Sequence, residues 1–157
     1  MRRARGWTAA ALTVCMIFTL FGAWAEQELT LPDGIHCLEL PDSLRYTPPT
    51  EEESYLWAIY LDDSFEMEVF LYPSGGMTLE ETVLALAENG RVAELREIDG
   101  VEMLCYRDQD EVDGARCIGY VYPVEDQFME ITFWYGTNEA GEMAADIMET
   151  FRLKETK

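Results

Sequence analysis

The residues with the clearest potential for chemistry are Asp108, Asp110 and Asp113, in the run DQDEVDG. Carboxylates at alternate positions open a calcium-binding loop, because a hard cation gathers several oxygen ligands from closely spaced acidic side chains. The run then departs from that pattern. Val112 stands where a further side-chain oxygen is needed, Gly114 comes one residue late, and Gly119 occupies the place of the bidentate Glu. The stretch 108–114 is therefore expected to be the acidic tip of a hairpin, with calcium as the alternative ligand and no other cofactor implied. His36 is the single histidine, which excludes sites built on several histidines. It neighbours Cys37, and adjacent strand residues point to opposite faces, so a Cys-His catalytic pair is not expected. A surface or strand-partner histidine is the better reading. Ser43, Ser54, Ser64 and Ser74 fall in turns or at strand ends, outside any G-x-S-x-G elbow. Carboxylate pairs are so numerous that none stands out as a glycosidase-like acid and base. No catalytic residue is assigned, and the chain is not read as an enzyme.

Two cysteines of the same hairpin, Cys105 and Cys117, could form a disulfide. A turn centred on Glu111 would set them directly opposite, and closing so short a loop stabilises by about 3 kcal/mol. A bulged turn through Val112-Asp113-Gly114 would instead bring Cys105 near Val121. With Cys37 the count is odd, which permits one bridge or three buried thiols, and free thiols are the leading expectation.

Which compartment these thiols meet is set by the N-terminus. Arg2, Arg3 and Arg5 precede an uncharged apolar run from Gly6 to Ala23, and Ala23-Trp24-Ala25 is a small-x-small cleavage pattern. This predicts a secretory signal peptide over 1–25, cleaved after Ala25. An uncleaved anchor is the alternative, but the run is marginal for a bilayer span of about 20 residues and ends at Glu26. Lipoprotein attachment at Cys15 would need a small residue where Val14 stands. Residues 26–157 are then one globular domain, secreted or extracytoplasmic, without a stable membrane span and expected to be a monomer.

Charge narrows the partners. The 11 Lys and Arg against 31 Asp and Glu give −20, and loss of Arg2, Arg3 and Arg5 takes this to −23. Nucleic acid is excluded, since its binding needs cationic side chains against phosphates, and anionic lipid is disfavoured on the same ground. A protein, peptide or glycan remains. Tyr55, Trp57, Tyr60, Tyr106, Tyr120, Tyr122, Phe133, Trp134 and Tyr135 could form a platform for one if exposed together, although such residues more often fill a core.

The elements that must position these groups follow from pattern. A short strand, a turn at Pro32-Asp33-Gly34 and a strand over Ile35–Leu40 come first. Strands over Tyr55–Leu61 and Phe65–Tyr72 follow, the second alternating apolar residues with Glu66 and Glu68. Thr78-Leu79-Glu80-Glu81 is a capping box opening a helix to about Asn89, with Gly90 as its stop. Leu79, Val83, Leu86 and Ala87 form its apolar stripe, which Leu84 widens. Residues 92–135 then read as four consecutive strands turning at Asp99-Gly100, near Asp113-Gly114 and at Glu125-Asp126. The first hairpin should pair Ile98 with Val101, Leu95 with Leu104 and Ala93 with Tyr106. Both faces of this meander are apolar, so both need cover. A helix from about Glu139 to Phe151, capped by Thr137 or Asn138, buries Ala140, Ala144, Ile147, Met148 and Phe151.

Three stretches resemble the PsbP-like fold of small exported bacterial proteins, also found in a photosystem subunit and a nuclear-transport cofactor. They are the strand and Pro turn IHCLELPDSL, the strand and capped helix leading into IDGVEMLCY, and the aromatic last strand followed by a helix ending IMETFR. Leu44 stands where that family usually has an aromatic. The resemblance implies an α+β fold, with an antiparallel sheet of about six to eight strands between two main helices, and a binding or accessory role. It carries over no catalytic motif.

Overall fold

The predicted meander forms the larger part of a seven-stranded antiparallel sheet. The computed structural model describes residues 26–50, 55–110 and 114–155. The predicted leader, Asp113 and the run 51–54 lie outside them. In chain order the strands are β1 (Glu26–Thr30), β2 (His36–Pro41), β3 (Arg45–Thr47), β4 (Leu56–Leu61), β5 (Phe65–Pro73), β6 (Val92–Ile98), β7 (Val101–Gln109), β8 (Arg116–Val124), β9 (Gln127–Tyr135) and β10 (Arg152–Leu153). Helix α1 (Leu79–Glu88) joins β5 to β6, and α2 (Asn138–Glu149) joins β9 to β10. The large sheet runs β3-β4-β5-β9-β8-β7-β6, while β1, β2 and β10 make a small second sheet with β2 central.

Local chemistry accounts for most of these boundaries. Thr78 accepts from the Glu81 amide at 3.2 Å, and Glu81 accepts from the Thr78 amide at 2.9 Å, closing the capping box. Thr137 caps α2 by accepting from the Ala140 amide at 3.2 Å. Asp99 and Gly100 both have positive φ, the geometry of a two-residue hairpin turn, and Ile98, Leu95 and Ala93 pair as predicted.

One face of the large sheet carries Met67, Val69, Met103, Met129, Ile131 and Phe133, buried under α2 and the small sheet. α2 contributes Ala140, Ala144, Ile147 and Met148, and the small sheet adds Leu29, Leu38 and Leu40. The other face carries Leu104, Val121 and Phe128 under Leu79, with Val83 and Leu86 packed alongside. There α1 covers β6, β7 and β8, and Leu84 and Ala87 turn to solvent instead of joining its buried stripe. β3 and β10 are additions that the sequence pattern did not predict. No described helix is long and apolar enough to cross a membrane.

The β7–β8 register settles the cysteines. Cys105 lies opposite Tyr120 and Leu104 opposite Val121, one step from the bulged-turn expectation. Cys105 therefore faces α2, while Cys117, opposite Asp108, joins the α1 side. The Cys105–Cys117 disulfide is not made; Cys37, Cys105 and Cys117 are free and buried. Alternation along the pleat decides this. Leu104 and Tyr106 must share a face with Val121 and Gly119, which sends Cys105 and Cys117 to opposite sides.

Candidate functional site

On α2 and its C-cap residue, Glu139, Glu142, Met143, Asp146, Ile147 and Thr150 recur at helical spacing and so fall on one stripe. This stripe faces Glu39 and Pro41 of β2 and Ser64 of the β4–β5 turn across a cleft of about 480 Å³. Pro41, Ala140 and Ile147 are buried and Met143 half-buried, so the floor is apolar. Glu139, Glu142 and Asp146 are exposed at its rim. The walls are tied together by Thr150, whose hydroxyl accepts from the Glu39 amide at 2.8 Å and donates to the Ile147 carbonyl at 2.7 Å. Glu39 is neutralised by Arg152 at 2.5 Å, whereas Glu139, Glu142 and Asp146 form no ion pair among the described residues. An apolar floor under a carboxylate rim suits a ligand with a cationic group beside an apolar one.

A second hollow, of about 510 Å³, opens on the α1 side of the sheet beside Asp62, Asp63, Glu66, Glu68 and Trp134. Asp110 lies on its rim, so the hairpin tip singled out in the sequence is brought to further acidic residues. Asp108 is not gathered there, because Arg91 holds its carboxylate at 2.8 Å. Asp113 lies outside the described residues. Among the described residues no three His, Cys, Asp or Glu side chains stand close enough to hold a metal ion. Trp134 donates to Glu68 at 3.1 Å and Thr132 donates to the same oxygen at 3.2 Å, an arrangement that fixes the indole on the sheet.

Two buried networks escaped sequence reasoning. His36, expected at the surface or as a strand partner, is buried beside Asp33, its Nδ1 2.6 Å from Oδ2. The Tyr122 hydroxyl donates to the same oxygen at 2.8 Å, and the amides of Ile35 and His36 donate to Oδ1, each at 3.0 Å. The His36 ring stacks on Phe151 with centroids 4.8 Å apart. Burial raises the Asp33 pKa, but these four donors outweigh it and hold the carboxyl below its usual range. The network ties the β1–β2 turn to β8. On the other face, Tyr106 lies over Gly119 and donates to Glu130, which Tyr72 also contacts. Burial, then the adjacent Glu130 charge, pushes both phenols far upward, so they act as neutral donors. Burial likewise raises Cys105 to about 11 and Cys117 to about 12, well above a reactive thiol. Of the proposed aromatic platform, Tyr106, Tyr120, Tyr122 and Phe133 are core, whereas Tyr55 and Trp57 are exposed.

No protein-family model matches the chain, and no curated protein does. Among solved structures it is similar to cyanobacterial PsbP (CyanoP) from Synechocystis sp. PCC 6803, with a TM-score of 0.57 at 14% identity over 85% of this chain and 95% of that one. It is also similar to a protein from Bacteroides thetaiotaomicron VPI-5482, with a TM-score of 0.54 at 12% identity over 82% of this chain and 48% of that one. At these identities the likeness concerns architecture alone, and together with the two helices and antiparallel sheets it shows that the chain has a PsbP-like fold.

Proposed function

We propose that this chain is an exported, non-catalytic binding domain, and that the cleft between α2 and β2 takes a basic segment of another protein. The observation that supports this is the pairing, on one helix stripe, of an apolar floor with a rim formed by Glu139, Glu142 and Asp146. An apolar anchor seated against Met143 and Ile147 gains from burial, and methionine adapts to differing shapes. A neighbouring Lys or Arg meets carboxylates that form no ion pair among the described residues. Export is the reading of the leader before Glu26, and a secreted product whose N-terminal residue is Glu26 is the expected result of expression in a bacterial host.

Isothermal titration with short basic amphipathic peptides tests the site. Binding is expected, weakening as salt rises, and falling about tenfold or more in Glu139→Gln/Glu142→Gln/Asp146→Asn. A charge-inverted peptide is expected not to bind. Equal binding by the triple variant would remove the proposal. A melting temperature that climbs with millimolar calcium, in a protein that ignores the peptides, would transfer the function to the acidic 108–114 tip.

A further inference from the structure

Among the described residues β6 ends the large sheet with its outer edge unpaired, and its sequence, VAELREI, is self-complementary when laid antiparallel to itself. A two-fold axis through Leu95 sets Glu94 opposite Arg96 of a second copy and Arg96 opposite its Glu94. The same axis sets Val92 opposite Ile98, and Ala93 opposite Glu97. The backbone phase agrees. In a two-residue hairpin the pair flanking the turn, here Ile98 and Val101, exchanges hydrogen bonds inward. Val92, Glu94, Arg96 and Ile98 therefore point their backbone groups at β7, and Ala93, Leu95 and Glu97 point theirs outward. Those three are the residues that an axis at Leu95 pairs together.

We infer that the chain forms a two-fold dimer in which β6 pairs with β6 of a second copy, continuing the sheet across the seam. Charge selects this register. Shifting the axis to Glu94 or Arg96 faces that charge with its own kind, whereas an axis at Leu95 offers opposite charges at both Glu94 and Arg96, the cross-strand arrangement that stabilises a ladder. Edge strands that avoid pairing carry charged side chains, proline or a bulge; β6 has neither proline nor bulge, and its Glu94 and Arg96 are of opposite sign and face one another in this register. Val92 is 70% exposed on this edge, and the dimer gives it an apolar neighbour in Ile98. An axis normal to the sheet keeps both copies of α1 on one side of the seam, where exposed Leu84 lies on the helix that packs chiefly on β6. Repulsion between two chains of charge −23 is screened beyond about 8 Å at physiological salt, and at the seam Glu94 and Arg96 oppose one another while Glu97 faces Ala93.

Sedimentation velocity on the chain beginning at Glu26, from micromolar to millimolar concentration, should show a monomer–dimer equilibrium. Arg96→Glu, at an exposed site, is expected to weaken it about tenfold or more by facing Glu94 with a like charge. Glu94→Arg/Arg96→Glu exchanges the two charges and is expected to restore it. Glu97→Pro removes an outward amide without touching the β6–β7 ladder and should abolish the dimer while leaving the dilute monomer folded. Amide exchange at Ala93, Leu95 and Glu97 should slow as concentration rises. A chain that stays monomeric throughout, a double variant that fails to recover, or a dimer indifferent to Glu97→Pro would each overturn the inference.

Discussion

Asp33 receives four hydrogen bonds on one carboxylate, its side chain only 2% exposed. Asp33→Asn removes an acceptor oxygen and forces an amide against donors, which should cost about 1–3 kcal/mol in urea unfolding. The pH dependence has a definite sign. A folded pKa held below the unfolded value contributes stability above that value and loses it as pH falls through the folded one. The gap between the parent and Asp33→Asn is therefore expected at neutral pH and should close in acid, below the ordinary carboxylate range. Gly119 makes a different demand. A Cβ there would sit 2.1 Å from Tyr106 Cε1, so Gly119→Ala must displace the ring from Glu130, at about 1–3 kcal/mol. Combining it with Tyr106→Ala should cost less than the two changes added, as a double-mutant cycle would show. The cysteines predict a third outcome. A thiol reagent should find none of Cys37, Cys105 and Cys117 in the native chain and all three in denaturant, since each is buried with its pKa raised.

Among the elements, α1 depends most on its own ends. Leu79 is its one buried residue, so tertiary packing supports it weakly and the capping box matters more. Thr78→Ala is expected to cost about 1 kcal/mol and to speed amide exchange through α1 while leaving α2 protected. That helix, its cap and its stop were legible in the sequence because each depends on residues within a few positions. The Asp99-Gly100 turn and the pairing it dictates were legible for the same reason. The β7–β8 register was not, because its connection from Asp110 to Ala115 is long enough for several phases, and burial on both faces selects one. Nor was the Asp33 network, whose members Asp33, His36, Tyr122 and Phe151 meet only when the β1–β2 turn, β8 and the segment between α2 and β10 come together. The α2 stripe was half legible. Its buried residues showed at helical spacing, but its acidic neighbours became a cleft only once β2 was found beside them.

For the whole molecule, the two faces of the large sheet are unequal. α2 and the small sheet close one face, whereas α1 covers only the β6–β8 half of the other and leaves Glu66, Glu68 and Trp134 beside an open hollow. An excess of carboxylates over cations sets the solution behaviour, since self-repulsion disfavours the compact state. Added monovalent salt is expected to raise the melting temperature, the opposite of its expected effect on peptide binding.

The pairing of β5 with β9 bears on the order in which the chain folds. Phe65 meets Tyr135 and Pro73 meets Gln127 in a nine-pair ladder that is complete only after everything between them has been made. The β6–β9 meander needs only neighbouring segments and can close early, whereas β5 must wait for a strand far along the chain. Emerging from the N-terminus, β1 can pair with β2 and β3–β5 with one another, but β5 lacks its second neighbour until β9 arrives. A truncation within the meander should thus strand Phe65, Met67 and Val69 as an exposed apolar edge. In stopped-flow experiments, Val101→Ala should slow folding, while Leu40→Ala should chiefly hasten unfolding.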